Sequence, residues 1–203
     1  HGRRCRGCTG VMRALVTGAT GFLGRRLLAR LEEDRPVVLT RDPARARELP
    51  GQGADPVAWD PAAGPPPASA LEGVEAVFHL AGEPVASGRW TASKKERILQ
   101  SRVLGTRHLV DALLAAPRAP RVLVSASAVG YYGDRGDERL AESAEAGGDF
   151  LAGVCQAWEA EALRAGKGGM RVVTVRIGIV LGTDGGALPR MLLPFRLGLG
   201  GRL

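Results

Sequence analysis

Aromatic side chains and cysteine are scarce in this chain of 203 residues, and long apolar runs are absent from it. Aromatics make up 4% of the residues, so the core has to be built mainly from aliphatic side chains. Three cysteines are too few for a disulfide framework and suit a reducing compartment. No apolar stretch reaches the roughly 18 residues of a membrane-spanning helix, and no secretory signal pattern is present. We therefore expect a soluble protein of the cytoplasm or of an organelle interior, we favour the cytoplasm, and we expect no membrane partner.

The positive charge of the chain does not indicate nucleic-acid binding. The formal net charge is +7, and without Arg3, Arg4 and Arg6 of the opening segment the balance is 25 basic against 21 acidic residues, or +4. The arginines are scattered along the chain, whereas a nucleic-acid groove clusters them with aromatic side chains. We expect a small-molecule substrate and no nucleic-acid partner, and the pattern predicts no particular oligomeric state.

The opening segment, residues 1–11, contains Cys5 and Cys8 in a C-x-x-C arrangement but shows no hydrophobic periodicity. A tetrahedral zinc site needs four ligands, and no second cysteine pair is present to complete one. We therefore predict that residues 1–11 form a disordered leader and that the chain has no metal site. The third cysteine, Cys155, falls in a helical pattern and is expected to be a packed thiol.

Short apolar runs alternate with helical patterns from Met12 onward. The runs are apolar throughout, which is typical of strands that are buried on both faces of a parallel sheet. The predicted strands are residues 13–17, 36–40, 57–59, 76–80, 121–127 and 171–177, and the predicted helices lie within 18–34 and at 43–49, 94–115 and 150–165. Ser93 and Glu96 form an S-x-x-E capping box at the start of the longest helix. This order predicts an α/β fold with a doubly wound parallel sheet, the Rossmann arrangement.

A glycine-rich turn, TGATGFLG, connects the first predicted strand to its helix. Gly18 permits a tight turn, Gly21 lets backbone N–H groups approach a pyrophosphate, and Gly24 lets the helix pack closely on the sheet. The helix then points the positive end of its dipole at the phosphates. Three glycines at this spacing are weak evidence alone, but their place between strand and helix predicts a dinucleotide site.

The end of the second predicted strand indicates which dinucleotide binds. An Asp or Glu at this place holds the ribose 2′-hydroxyl of NAD, whereas an arginine favours the 2′-phosphate of NADP. The chain reads Thr40 and then Arg41 here, with Arg45 one helical turn further on. We favour NADP; the alternative is that Arg41 is a solvated loop residue and Asp42 holds the ribose.

These features resemble the extended short-chain dehydrogenases/reductases, and within them the atypical subgroup of NAD-dependent epimerase/dehydratase-like proteins of the epimerase-family type. The matching segments are VTGATGFLG (16–24), HLAGEPVASGRW (79–90), SRVLGT (101–106), SASAVGYYG (125–133), DFLAGVCQAWEAEA (149–162), RIGIVLG (176–182) and GGALPRMLLPFRLGLGG (185–201). Members of this group continue into more sheet and a C-terminal substrate domain. The resemblance implies that residues 12–203 form the NAD(P)-binding domain and that the substrate domain is largely missing.

The resemblance also implies a set of cofactor contacts. In such proteins the backbone after the fourth strand passes along the ribose and pyrophosphate, and the backbone after the sixth strand meets the nicotinamide carboxamide. Arg102 takes the place of an Asn near the phosphates, and its alternative is a solvent-facing helix charge. The implied cofactor-binding residues are Gly18, Thr20, Gly21, Phe22, Leu23, Gly24, Thr40, Arg41, Leu80, Ala81, Gly82, Arg102 and Val180.

The catalytic machinery implied by the resemblance is incomplete. The family usually uses a serine with a Tyr-x-x-x-Lys pair, in which the ammonium lowers the pKa of the tyrosine while the nicotinamide moves hydride. Ser127 matches the serine, but the matching helix carries Cys155 and Glu159 instead of the Tyr and Lys. Tyr131 or Tyr132 could substitute from the following loop, although packing is the favoured interpretation.

Other candidate groups have simpler interpretations. The acidic loop after the fifth strand, residues 130–148, is expected to be a solvated lid, and His79 a hydrogen-bonded core residue. Two functions remain open from the sequence. One is an NADP-dependent oxidoreductase or epimerase that acts on a small carbonyl or sugar-nucleotide-like substrate. The other is a non-catalytic NADP-binding sensor or regulatory protein.

Overall fold

The structure, a computed structural model, describes residues 12–48 and 53–198. Its strands are β1 (Ala14–Thr17), β2 (Val37–Thr40), β3 (Asp55–Ala58), β4 (Ala76–His79), β5 (Val122–Ala128), β6 (Arg171–Ile177), β7 (Leu181–Gly182) and β8 (Gly185–Gly186). Its α-helices are α1 (Phe22–Leu28), α2 (Pro43–Arg47), α3 (Ala92–Ala115), α4 (Phe150–Leu163) and α5 (Leu188–Arg196). The leader predicted for residues 1–11, including Cys5 and Cys8, lies outside the described residues, so that prediction stays open.

Six strands form one parallel sheet in the order β3-β2-β1-β4-β5-β6. Strand β1 lies between β2 and β4, with Leu15 opposite Val37 on one side and opposite Val77 on the other. The order reverses between β1 and β4, where successive connections turn to opposite faces of the sheet. The predicted doubly wound Rossmann sheet is confirmed. Its carboxyl edge at β1 and β4 is the place where such sheets form a ligand crevice.

Strand β1 shows why a central strand of this sheet has to be apolar on both faces. Leu15 packs on one face of the sheet in a core that contains Leu109 and Leu113 of α3. Its neighbours Ala14 and Val16 pack on the other face, in a cluster with Leu28 of α1. Because helices cover both faces, neither set of alternating positions is left for solvent-facing polar residues. The large fully buried side chains are mainly aliphatic, as the scarcity of aromatics predicted.

The start of α3 differs from the predicted capping box. The cap is Thr91, whose Oγ1 accepts a hydrogen bond from the Lys94 amide at 3.2 Å. Ser93 instead pairs with the Thr91 hydroxyl at 3.0 Å, and Glu96 accepts a hydrogen bond from Gln100 one turn further along. The helix therefore begins at Ala92, because a threonine two residues earlier offers the same cap chemistry.

Sequence patterns missed the last elements, the β7–β8 hairpin and α5. The hairpin packs on the side chain of Phe22, which a Cβ at Gly185 would meet. Arg26 lies over the Phe22 ring at 4.2 Å and donates a hydrogen bond to Asp184 at 2.7 Å. These contacts hold the hairpin against the first turn of α1. In the part of the chain that the structure describes, no helix is long and apolar enough to cross a membrane.

Candidate functional site

The glycine turn after β1 has the tight geometry that its sequence predicts. Gly18 has φ 70°, and a Cβ at this position would lie 2.6 Å from the carbonyl carbon of Leu80. A Cβ at Gly24 would collide with the Gly18 carbonyl oxygen and the Ala19 backbone. The Gly21 amide donates to the Gly18 carbonyl at 3.0 Å and closes the turn. Gly18 and Gly24 are therefore required by backbone contacts, which leave no room for a side chain.

The first turn of α1 presents backbone N–H groups for an anion. Its cap, Gly21, has no side chain that could accept a hydrogen bond from them. The amides of Phe22 and Leu23 come before the first possible i to i−4 partner inside the helix, so they are free to bind a ligand there. With the helix dipole, this arrangement suits the phosphates of a dinucleotide.

A cleft of about 340 Å³ opens above this turn, at the carboxyl ends of β1, β2 and β4. Its size lies within the usual range for small-molecule and cofactor sites. Its walls combine backbone from the turn and the β4 loop with polar side chains from the end of β2. The lining residues are Gly18, Ala19, Thr20, Gly21, Leu39, Thr40, Arg41, Asp42, Arg45, Trp59, Pro61, Leu80, Ala81, Gly82, Glu83, Pro84 and Ser101.

Two arginines, Arg41 and Arg45, line the end of the cleft beside β2. Asp42 caps α2, and its carboxylate accepts a hydrogen bond from the Arg45 amide at 3.0 Å. The Thr40 hydroxyl accepts a hydrogen bond from the Asp42 amide at 3.2 Å. Because the Asp42 carboxylate already serves the helix cap, the geometry favours Arg41 over Asp42 as the group that meets the ribose substituent. Two guanidinium groups suit a phosphate there.

A buried network behind the cleft fixes the ends of β1 and β4. The Thr17 hydroxyl accepts hydrogen bonds from the Leu80 and Ala81 amides, each at 3.2 Å, and its proton faces His79 Nδ1 at 2.7 Å. This leaves the proton of the neutral imidazole on Nε2, which lies 2.8 Å from the Thr106 hydroxyl. The expected core role of His79 agrees with these contacts. Burial lowers the pKa of His79 from 6.5 to about 4.

Because His79 is buried in its neutral form, the stability of the folded protein should depend on pH. His79 binds a proton near pH 6.5 in the unfolded chain and only near pH 4 in the folded protein. The contribution of neutral His79 to the free energy of unfolding is therefore fully present above pH 6.5 and decreases as the pH falls below that value. We expect a loss of about 1.4 kcal/mol per pH unit, or about 2 kcal/mol at pH 5. Urea unfolding of wild type and His79→Gln at pH 7 and pH 5 measures this contribution. The variant should lose less stability than wild type on acidification; equal losses would contradict the assignment.

Ser127 lies at the carboxyl end of β5, where a hydrogen-bonded chain holds it. Its hydroxyl donates to Glu159 Oε1 at 2.5 Å, and the side chain is almost fully buried. Arg176, which faces Ser127 across the β5–β6 pair, donates to both oxygens of Glu159 at 2.9 Å. Sequence reasoning recorded that Glu159 replaces a lysine, but it missed Arg176 as its partner. The available signal was an arginine inside a strand rich in valine.

The two tyrosines pack around the same arginine. Arg176 lies 3.4 Å from the centre of the Tyr131 ring and donates a hydrogen bond to the Tyr132 hydroxyl at 2.9 Å. It also donates to the backbone carbonyl of Glu142, which ties the acidic loop to the sheet. These contacts support the packing interpretation of the tyrosines. The predicted role of Ser127 near a reacting oxygen stays a prediction.

Arg102 lies beneath the backbone that follows β4. Its guanidinium donates to the carbonyl oxygens of Glu83 and Ile98, at 3.0 and 3.2 Å, and lies over the ring of Trp158. A Cβ at Gly82 would lie 3.2 Å from its central carbon. Arg102 is therefore not a solvent-facing helix charge. It supports the loop that carries Leu80, Ala81 and Gly82, and its direct contact with a cofactor stays a prediction.

The β4 loop has a second support that the sequence reasoning missed. Lys94 donates to Glu83 at 2.7 Å and to the Ser87 hydroxyl at 3.0 Å, and its side chain is 5% exposed. The hydrogen bond from Lys94 lowers the pKa of Glu83. The spacing of Lys94 from Ile98 places it on the buried face of α3, which was the available signal.

Val180 is the last of the predicted cofactor-binding residues. The Val180 carbonyl accepts a hydrogen bond from the Ala187 amide at 2.9 Å, so this oxygen already has a partner in the terminal hairpin. The proposed contact of Val180 with the nicotinamide carboxamide stays a prediction.

Within residues 12–48 and 53–198, no group of three or more His, Cys, Asp or Glu side chains is arranged to hold a metal ion.

Comparison with known proteins gives the site a family context. The model of the NAD dependent epimerase/dehydratase family matches residues 14–198. A chloroplastic SDR39U1 homolog of the epimerase family from Arabidopsis thaliana is 41% identical in an alignment that covers 95% of this chain and 56% of the relative. The human epimerase family protein SDR39U1 is 36% identical in an alignment that covers 94% of this chain and 62% of the relative.

Two solved structures show the same fold. The human SDR39U1 isoform 2, crystallised with NADPH, has a TM-score of 0.74 and 36% identity over 94% of this chain and 61% of its own. A nucleoside-diphosphate sugar epimerase from Corynebacterium glutamicum has a TM-score of 0.75 and 36% identity over 95% of this chain and 38% of its own. The chain thus spans 38% to 62% of the length of these relatives. The cytoplasmic location stays a prediction, since the Arabidopsis relative is chloroplastic.

Proposed function

The chain belongs to the NAD dependent epimerase/dehydratase family, and on that premise we propose that it binds NADP in the cleft above the glycine turn and acts as an oxidoreductase or epimerase. The cofactor assignment rests on one observation: the glycine turn and two arginines line the same cleft. The turn at Gly18 and Gly21 lies at one end, and Arg41 and Arg45 lie at the other. The NADPH in the crystal structure of the human relative supports the same assignment.

The residues of this cleft fit the parts of a dinucleotide. The amides of the turn and of the first turn of α1, including Phe22 and Leu23, would bind the pyrophosphate. The backbone of Leu80, Ala81 and Gly82 would lie along a ribose, and Arg41 with Arg45 would bind the 2′-phosphate. NADP supplies the hydride chemistry when bound. The protein would contribute binding and orientation, with Ser127 as the candidate group near the reacting oxygen.

The substrate class comes from the family and is also proposed. A small carbonyl compound or a nucleotide sugar fits an oxidoreductase or epimerase of this type. The relative from Corynebacterium glutamicum, named a nucleoside-diphosphate sugar epimerase, supports the second possibility. Since the chain spans 56% and 62% of the Arabidopsis and human relatives, the substrate assignment has to be tested with full-length protein.

Replacement of Arg41 by alanine tests the cofactor assignment. A charge-assisted hydrogen bond contributes about 1.5–3 kcal/mol, which is roughly a ten- to hundredfold change in affinity. We expect wild type to bind NADPH more tightly than NADH by a factor in this range, and Arg41→Ala to remove most of the difference. Fluorescence titration with both nucleotides measures it.

Arg47→Ala is the matched control, because Arg47 is an exposed arginine at the end of the same helix, α2. It should keep the preference for NADPH. If wild type binds NADH as tightly as NADPH, NADP is the wrong cofactor and Asp42 is the better candidate for the ribose.

A second candidate function is a non-catalytic NADP sensor. The observation in its favour is that Cys155 and Glu159 occupy the places of the Tyr-x-x-x-Lys pair, and that Arg176 already holds Glu159. A neutral buried thiol and a paired carboxylate are poor substitutes for a tyrosinate beside an ammonium. Turnover of NADPH by full-length protein across carbonyl compounds and nucleotide sugars would favour the enzyme. Tight NADPH binding without turnover would favour the sensor.

A further inference from the structure

The Ser127 hydroxyl already donates its single proton in a hydrogen bond within the protein. The hydroxyl lies 2.5 Å from Glu159 Oε1, and a carboxylate has no proton to donate in return. The bond therefore runs from Ser127 to Glu159. Short O–H···O⁻ bonds of this length are charge-assisted and stronger than those between neutral groups.

Glu159 is held in its charged form by Arg176. Arg176 Nε and one terminal nitrogen each donate to a different oxygen of Glu159 at 2.9 Å, which is a bidentate pair. Burial alone would raise the pKa of Glu159, but the hydrogen bonds from Arg176 and Ser127 and the charge of Arg176 outweigh it, so the pKa lies below its ordinary value. Glu159 therefore stays ionised in the neutral pH range and accepts a hydrogen bond from the Ser127 hydroxyl.

Cys155 also lies beside Ser127. Burial raises the pKa of the Cys155 thiol, although hydrogen bonds with the Ala128 backbone and with Ser127 act against this. The thiol thus keeps its proton, and S–H is a weak donor that a hydroxyl or amine can displace. What Ser127 has left to offer a ligand is a lone pair of its oxygen.

We infer that Ser127 meets a ligand as a hydrogen-bond acceptor, so the group that binds at Ser127 is a donor, a hydroxyl or an amine, and not a bare carbonyl oxygen. The inference rests on the proposed function, because it takes Ser127 as part of the substrate site. It specifies the ligand: within the proposed oxidoreductase or epimerase reaction, the site prefers the alcohol over the ketone. A lysine at position 159 would donate rather than accept, so the preference comes from Glu159.

A matched pair of probes tests this preference in full-length protein. Cyclohexanol is measured with NADPH bound and cyclohexanone with NADP⁺ bound, so that neither mixture can transfer a hydride. Amide NMR signals of β5, especially Ala128, report binding beside Ser127. A ketone oxygen facing the Ser127 oxygen would leave two acceptors without a proton between them, so we expect cyclohexanol to bind about tenfold more tightly.

The Ser127→Ala variant removes the acceptor but leaves the Arg176–Glu159 pair intact. Its preference for cyclohexanol should fall to about twofold or less, with NADPH affinity unchanged as evidence of an intact fold. Glu159→Ala is a second variant, which removes the carboxylate acceptor and so releases the Ser127 proton, and its preference should fall in the same direction. If Glu159→Ala does not fold, the Ser127→Ala comparison decides the matter.

The outcomes separate the inference from the proposed function. Failure of the folded wild type to bind NADPH would refute the proposed function and this inference with it. Wild type that binds NADPH but binds the ketone as tightly as the alcohol, or shows no β5 response to either probe, would overturn the inference alone. An alcohol preference that survives Ser127→Ala would also overturn it.

Discussion

Replacing Gly24 by alanine is expected to destabilise the protein by about 3 kcal/mol, because the added methyl group has no space and no flexible neighbour. Its Cβ would collide with the Gly18 carbonyl oxygen and would lie 2.6 Å from the Ala19 Cα. Both contacts are backbone of the glycine turn, so the helix has to move away from the strand. Chemical denaturation of the variant measures the loss, and NADPH binding should weaken with it.

Gly153→Ala is the matched control for this substitution. Gly153 also lies inside a helix, α4, but a Cβ there meets nothing within 4 Å. Alanine has the better helix propensity, so this variant should be more stable than wild type by about 0.5–1 kcal/mol. If both substitutions changed the free energy of unfolding by the same amount, α1 would not pack closely on the glycine turn as described.

Replacing Gly21 by valine is expected to weaken NADPH binding by about a hundredfold or more while the protein stays folded. Gly21 has φ −75° and ψ 172°, a conformation that valine adopts readily. A Cβ there lies 3.2 Å from the Gly18 carbonyl oxygen and has no other neighbour within 4 Å, and Gly21 lines the cleft. The branched side chain would therefore occupy the place where the pyrophosphate approaches the backbone amides.

Gly148→Val provides the control for added side-chain bulk. Gly148 is exposed, a Cβ there meets nothing within 4 Å, and it lies in the acidic loop rather than in the turn. Its NADPH affinity should match that of wild type in the same fluorescence titration. Unchanged affinity in Gly21→Val, with the fold intact, would remove the turn from the cofactor site.

Local patterns were enough to predict the sheet and the turn. The parallel order follows from strands such as residues 37–40, which are apolar on both faces, and from helices that separate them. The Gly24 requirement follows from the spacing of strand, turn and helix, since the contact it permits is only a few residues away. Boundaries were less certain, because Thr91 and Ser93 offer equivalent caps and only the surrounding structure decides between them.

The surroundings of Ser127 could not be predicted in the same way. Glu159 and Arg176 lie on α4 and β6, and their pairing depends on how those elements pack on β5. No periodicity or motif spacing relates them. Two other contacts also depend on how distant segments pack, so the sequence could not predict them. They are the support of Gly82 by Arg102 and the contact of the terminal hairpin with Phe22.

Titration of the full-length, folded protein with NADPH and with NADH, followed by fluorescence, tests the central claim most directly. The account predicts saturable binding of NADPH at one site, tighter than the binding of NADH by about ten- to a hundredfold. Folded protein that binds neither nucleotide, or that binds NADH as tightly as NADPH, would contradict it.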